Sequence, residues 1–182
     1  MLQRDFSTQI RQQSAATRAH VASVVRGISP AQLNEHPEPT GWSVGEVLEH
    51  LSISDELYEK PLRALIATAR PDGGAPMREW KPTILGGMLC NMLAKPGRMK
   101  APKKFQPGPT PRNGVLDSYL ACDSSVMSMM SDAESLDWRK QGLVSPALPS
   151  FMPKFNLGDI FRIHAVHTAR HARQIDRLIA LL

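Results

Sequence analysis

Toward the C-terminus, Leu157, Phe161, His164, Thr168, His171, Ile175, Leu178 and Leu182 follow one another at alternating steps of four and three. With 3.6 residues per helical turn, such positions fall on one stripe of an α-helix. A stripe that long has to be buried against other helices, so this segment calls for a bundle. Asn156 stands where an N-cap is needed, and Asp159 sets a carboxylate in the first turn, at the positive end of the helix dipole. The seam is not purely apolar. His164 and His171 lie on it, and His167 sits one turn before His171.

Three further segments read as helices. The first, at about 5–27, carries Phe6, Ile10, Thr17, Val21, Val24 and Ile28 at steps of three, four and seven, and Ser29-Pro30 is expected to stop it. The second opens at Ser43, where Ser43 and Glu46 have capping-box spacing and Trp42 is placed as a hydrophobic staple. Its stripe is Val47, Leu51, Ser54, Tyr58, Leu62 and Leu65, ending near Arg70-Pro71, and Pro61 should kink or divide it. The third, at about 113–133, is expected to turn Leu116, Leu120, Val126, Met127 and Met130 inward. No segment has the period-two alternation of a strand. The expected fold class is all-α, a four-helix bundle formed as one domain over residues 1–182.

Between the second and third helices lies a Pro/Gly-rich insertion at about 71–111, with one short helical candidate at about 82–94. A connection of that length is no tight turn. It can cross the bundle lengthwise, which allows the second and third helices to run parallel. A second irregular stretch, 143–155, holds three prolines and leads into the last helix.

Composition narrows the class further. Hydrophobic residues at 42% and charged residues at 21% exclude a globally disordered chain, and nine methionines beside 5% aromatics suit a core of aliphatic and thioether side chains. The opening MLQRDFSTQIRQQ has no apolar run, so no secretory signal is expected, and the longest apolar stretch, 83–93, is far too short to span a bilayer. Cys90 and Cys122 sit in no CxxC arrangement and read as structural thiols of a reduced, cytoplasmic protein. The net charge of +5 collects in Lys95, Arg98, Lys100, Lys103 and Lys104, beside the single aromatic Phe105. Without interleaved stacking platforms this reads as a solvated basic loop, and nucleic-acid binding is disfavoured.

Of six histidines, three crowd into the last helix. His167 and His171, four apart, share one face and can share a metal ion, although chance pairs at this spacing are common. Buried imidazoles need partners, and a metal satisfies several at once. His50, beside Leu51 at the margin of the second helix's buried face, is a candidate third donor or a half-exposed helix residue. His164 reads as a fourth ligand, as a group bonded to the ligands, or as a core histidine satisfied by Ser or Thr, with the last two favoured. His20 and His36 read as solvent-side residues. Asp123 is a candidate acceptor for a ligand imidazole, and Glu46, one turn before His50, reads as helix surface.

The stretch GWSVGEVLEHLSISDELY, with Trp42, Ser43, Val47, His50 and Leu51, resembles the second-helix signature of the DinB-like superfamily. The stretch LGDIFRIHAVHTARHARQIDRL, with His167, His171 and Gln174, resembles its closing H-x3-H-x2-Q motif. The resemblance implies an up-down-down-up four-helix bundle and a divalent metal, zinc or nickel, held by His50, His167 and His171. It implies a small-molecule substrate, with activities in the family that include transfer of low-molecular-weight thiols and metal-dependent hydrolysis. The alternative is a non-catalytic metal-binding or stress-response module. Bundles of this kind often pair as homodimers, though no stripe in the sequence marks such an interface.

Overall fold

A computed structural model of the chain describes residues 1–95, 100–111 and 113–182, so Arg98 of the basic stretch lies outside the described residues. Four long helices form the bundle: α1 (Gln3–Arg26), α3 (Val44–Thr68), α5 (Val115–Asp132) and α6 (Leu157–Ile179). Ser29-Pro30 does end the first helix, and it also starts another. Ser29 and Gln32 make a capping box and Pro30 takes the first helical position, where its missing N–H costs nothing, giving the one-turn α2 (Pro30–Asn34).

Side-chain pairs fix the directions. Cys122 and Ser125 of α5 meet Glu56 and Glu59 of α3, and Arg63 reaches on to Ser125, so α3 and α5 run parallel. Arg11 meets Ser131 while Arg18 meets Asp123, so α1 and α5 are antiparallel. His50 of α3 meets His167 of α6 while Asp55 meets His164, which makes that pair antiparallel too. The order is up-down-down-up, with residues 71–111 as the long crossover between the two parallel helices.

The crossover holds α4 (Ile84–Ala94), capped by Thr83, and two single 3-10 turns at Ala75–Met77 and Lys103–Phe105. Two glycines let it lie close on α6. A Cβ on Gly158 would fall 1.9 Å from the Trp80 indole nitrogen, and one on Gly86 would fall 2.2 Å from the Asp159 carboxylate carbon. Asp159 accepts from the Thr83 backbone and hydroxyl, tying the start of α4 to the start of α6.

Three expectations need correction. Pro61 does not divide the second helix: α3 continues to Thr68 even though Pro61 has no N–H to donate back along the helix. The buried residues of α5 are Val115, Tyr119, Asp123, Val126, Met129 and Met130, with Leu116, Leu120 and Met127 only partly covered. The helix is turned so that Asp123 meets the buried His164 ring. Two strands also exist, each two residues long: β1 (Gly142–Leu143) pairs antiparallel with β2 (Phe155–Asn156), too short for any alternation to show. Among the described residues, no helix is long and apolar enough to cross a membrane.

Candidate metal centre

Two capping boxes set the helices that carry the histidines. Ser43 accepts from the Glu46 backbone N–H, while the Glu46 carboxylate accepts from the Ser43 N–H. Asn156 and Asp159 make the same reciprocal pair at the start of α6. Each satisfies two backbone donors that the first turn leaves without partners, a contribution of about 1 kcal/mol per cap. Glu46 also meets His36 and is buried, so it belongs to the cap rather than to the helix surface.

From that start, α3 carries His50 inward and α6 carries His167 and His171 toward it. His50 and His171 are buried and His167 is half-buried. Their ligand atoms all lie within 4.8 Å of one another, and His167 Nε2 stands 3.1 Å from both His50 Nε2 and His171 Nε2. The outer nitrogens are fixed. His50 Nδ1 donates to the Phe105 carbonyl at 2.6 Å, and His171 Nδ1 donates to Gln174 Oε1 at 2.8 Å. The Trp42 ring lies against His50 at 4.9 Å between centroids.

Burial lowers all three imidazole pKa values. His171 falls to about 3, by desolvation and then the neighbouring His50, and His167 falls well below its ordinary value by desolvation, His171 and His50. His50 is lowered by desolvation, partly offset by its bond to Phe105 and the charge of Asp55. The three rings are therefore neutral at pH 7, the state in which imidazole ligates a metal.

This donor set fits a cation. With Nδ1 of His50 and His171 committed as donors, both rings turn an Nε2 lone pair toward His167. A single proton on His167 Nε2 can serve one of them, not both, whereas one cation serves all three. Nitrogens about 2.0–2.1 Å from zinc at tetrahedral angles stand roughly 3.3 Å apart, close to the 3.1 Å that separates His167 Nε2 from each of the other two.

His164, one turn earlier on α6, faces elsewhere. Its Nδ1 lies 3.0 Å from Asp55 Oδ1 and its Nε2 lies 3.0 Å from Asp123 Oδ1. Both ring nitrogens therefore donate, and the ring is an imidazolium. Burial alone would lower its pKa, but the Asp55 and Asp123 carboxylates outweigh that and raise it to about 10. Arg18 stands 3.7 Å from the other oxygen of Asp123.

The structure thus brings together His50, His167 and His171, with Gln174 bonded to one of them. Asp123 accepts from His164 and not from any of the three converging histidines. His164 is satisfied by carboxylates, not by Ser or Thr. His20 and His36 are exposed and pair with Asp176 and Glu46. Two contributors went unread in the sequence. Asp55 had a signal, since it falls between Leu51 and Tyr58 on the buried face of α3, where a carboxylate needs a partner. The Phe105 carbonyl had none, because a backbone group leaves no mark in the sequence.

Fold and centre together define a class: an up-down-down-up four-helix bundle in which three histidines from two helices converge inside. The chain belongs to the DinB superfamily, whose family model matches residues 13–175. Among solved structures it is similar to YfiT from Bacillus subtilis, described as a probable metal-dependent hydrolase with an unusual four-helix bundle topology. The two share a TM-score of 0.59 at 14% identity, over 94% of this chain and 85% of that one. At that identity the likeness shows the fold alone. No curated protein matches the chain.

Proposed function

We propose that this protein is a metal-dependent enzyme acting on a small molecule, with His50, His167 and His171 holding a divalent ion, zinc or nickel. The observation that carries this reading is the convergence of three neutral imidazole Nε2 atoms, with the outer nitrogens of His50 and His171 already committed as donors. Three protein donors is the count of catalytic zinc sites, whereas structural sites are closed by four. When bound, the ion supplies Lewis acidity, which polarises a substrate carbonyl or favours the deprotonated form of a water or thiol.

The chain's own residues do the rest. Gln174 and the Phe105 carbonyl hold two imidazoles in the tautomer that presents Nε2. Trp42 and the surrounding aliphatic residues keep His50 out of water. The carboxylates of Asp55 and Asp123 are committed to His164 and that of Glu46 to a cap, so the incoming nucleophile is activated without them. Hydrolysis by water and transfer of a low-molecular-weight thiol both fit such a centre, and the description of YfiT favours hydrolysis. With no disulfide joining Cys90 and Cys122, we place the protein in the cytoplasm.

The test is a turnover screen of the zinc- and nickel-loaded protein on small esters and amides, and on thiols paired with electrophiles. Metal-dependent turnover that disappears in His167→Ala supports an enzyme. A protein that binds metal tightly but turns over none of these substrates is instead a metal-binding module.

A further inference from the structure

The basic stretch that the sequence marks as a solvated loop is fastened at two points to the helices that carry the histidines. Arg170, the residue before His171, donates to the carbonyls of Leu93, at 3.2 Å, and Lys95, at the end of α4. Ten residues on, the Phe105 carbonyl accepts from His50. Between these anchors, Lys100, Lys103 and Lys104 are exposed. Among the described residues, the lysine ion pairs are those of Lys81 and Lys140, so these three ammonium groups are uncompensated. A cleft of about 450 Å³ opens there, lined by Lys100, Ala101, Pro102, Lys103 and Gln106. Gln106 donates to the Ala101 carbonyl and closes the turn that shapes it.

This cleft is linked to the centre through Phe105. Of its lining, Gln106 follows Phe105 directly and Lys103 stands two residues before it; the Phe105 carbonyl is bonded to His50, and His167 is the converging histidine that keeps partial exposure. Phe105 itself is buried, so the one aromatic of the stretch offers no face for a nucleobase to stack on. What the cleft does offer is positive charge and an amide, the chemistry that recognises a carboxylate or phosphate on a small molecule.

We propose that the substrate carries an anionic group, carboxylate or phosphate, which Lys100 and Lys103 receive at the rim of the histidine centre. This rests on the metal-enzyme reading above.

The test separates the two readings. The full chain is loaded with cobalt(II), and its visible absorption is followed while 3-mercaptopropionate, 2-mercaptoethanol or cysteamine is added, with affinities checked by calorimetry. These thiols are of similar size and carry a negative, a neutral and a positive group. The anionic thiol should bind roughly five- to tenfold more tightly than the neutral one, and the cationic thiol more weakly still. The preference should shrink as salt is raised and vanish in Lys100→Gln/Lys103→Gln, with 2-mercaptoethanol affinity unchanged. Cobalt binding with equal affinity for all three thiols, a preference that survives in the double variant, or no response to the anionic thiol overturns the anion site and leaves the metal centre standing. Failure of cobalt to bind overturns the metal reading and the anion site with it.

Discussion

His164 and His167 are three residues apart on α6, one buried and the other half-buried, yet one is held as a cation and the other as a neutral base. The difference lies in what faces them. His164 meets two carboxylates, and their charge outweighs the desolvation of its ring. His167 meets two more imidazoles, which add repulsion to desolvation. Burial alone therefore does not decide the charge of a histidine. With both acids bonded to His164, neither is hydrogen-bonded to the three converging rings, which stay neutral as metal donors need to be.

The largest effect should come from breaking the charged environment. Asp123→Ala leaves His164 with one carboxylate and a buried charge poorly matched, at a cost of about 3–5 kcal/mol in urea unfolding of metal-free protein. His171→Ala under the same conditions should cost less than half as much, since it removes a neutral ring. Equal losses would erase the distinction between the two environments.

Metal should reverse that order of importance. An ion bound only by the folded state stabilises it by about 4 kcal/mol when free metal is a thousand times the dissociation constant. Melting curves with and without chelator should show this shift, and His167→Ala or His171→Ala should remove most of it. His36→Ala, exposed and paired with Glu46, should leave it unchanged.

The two environments also predict opposite pH limbs for metal-free protein. His50, His167 and His171 are lowered, so below about pH 6.5 the unfolded chain takes up protons that the folded one refuses. Their contribution is lost as pH falls from there toward the value of about 3 set for His171. His164 is raised, so its contribution is complete below about pH 6.5 and is lost as pH rises through about 10. Unfolding free energies across pH 5–9 should show His164→Gln flattening the alkaline side and His171→Ala flattening the acid side. A swap of those effects would mean that the charge assignments are reversed.

How much of this was legible in the sequence follows from where each partner lies. The seam of α6, the Ser43–Glu46 and Asn156–Asp159 caps, and the His167–His171 pair could be read because helical spacing places them without knowledge of any other segment. His50 joined them only through the family resemblance. The long crossover was legible from its length. The rotation of α5 was only partly legible: Asp123 could be read as a buried acceptor, but its partner is His164 rather than a converging histidine, and the inward place of Tyr119 leaves no mark in the spacing. Asp55 had a signal in its place on the buried face of α3 but its partner on α6 had none, and the role of Phe105 rests on a backbone atom. Pairings between distant segments were the illegible part, and they account for the electrostatic contrast on α6.

The smallest expected effect is at Gln174. Gln174→Leu removes the acceptor that fixes His171, and should weaken metal affinity by about tenfold in a chelator competition while leaving the alkaline limb of His164 in place. No loss of affinity would mean that the packing around His171 orients the ring without this hydrogen bond.

Anomalous scattering at the zinc edge, from crystals of zinc-loaded protein, tests the metal centre most directly. One peak per chain is expected among Nε2 of His50, His167 and His171, absent in crystals of His167→Ala. A density map with no peak there, and the three rings hydrogen-bonded only to one another, would contradict a metal centre at this position.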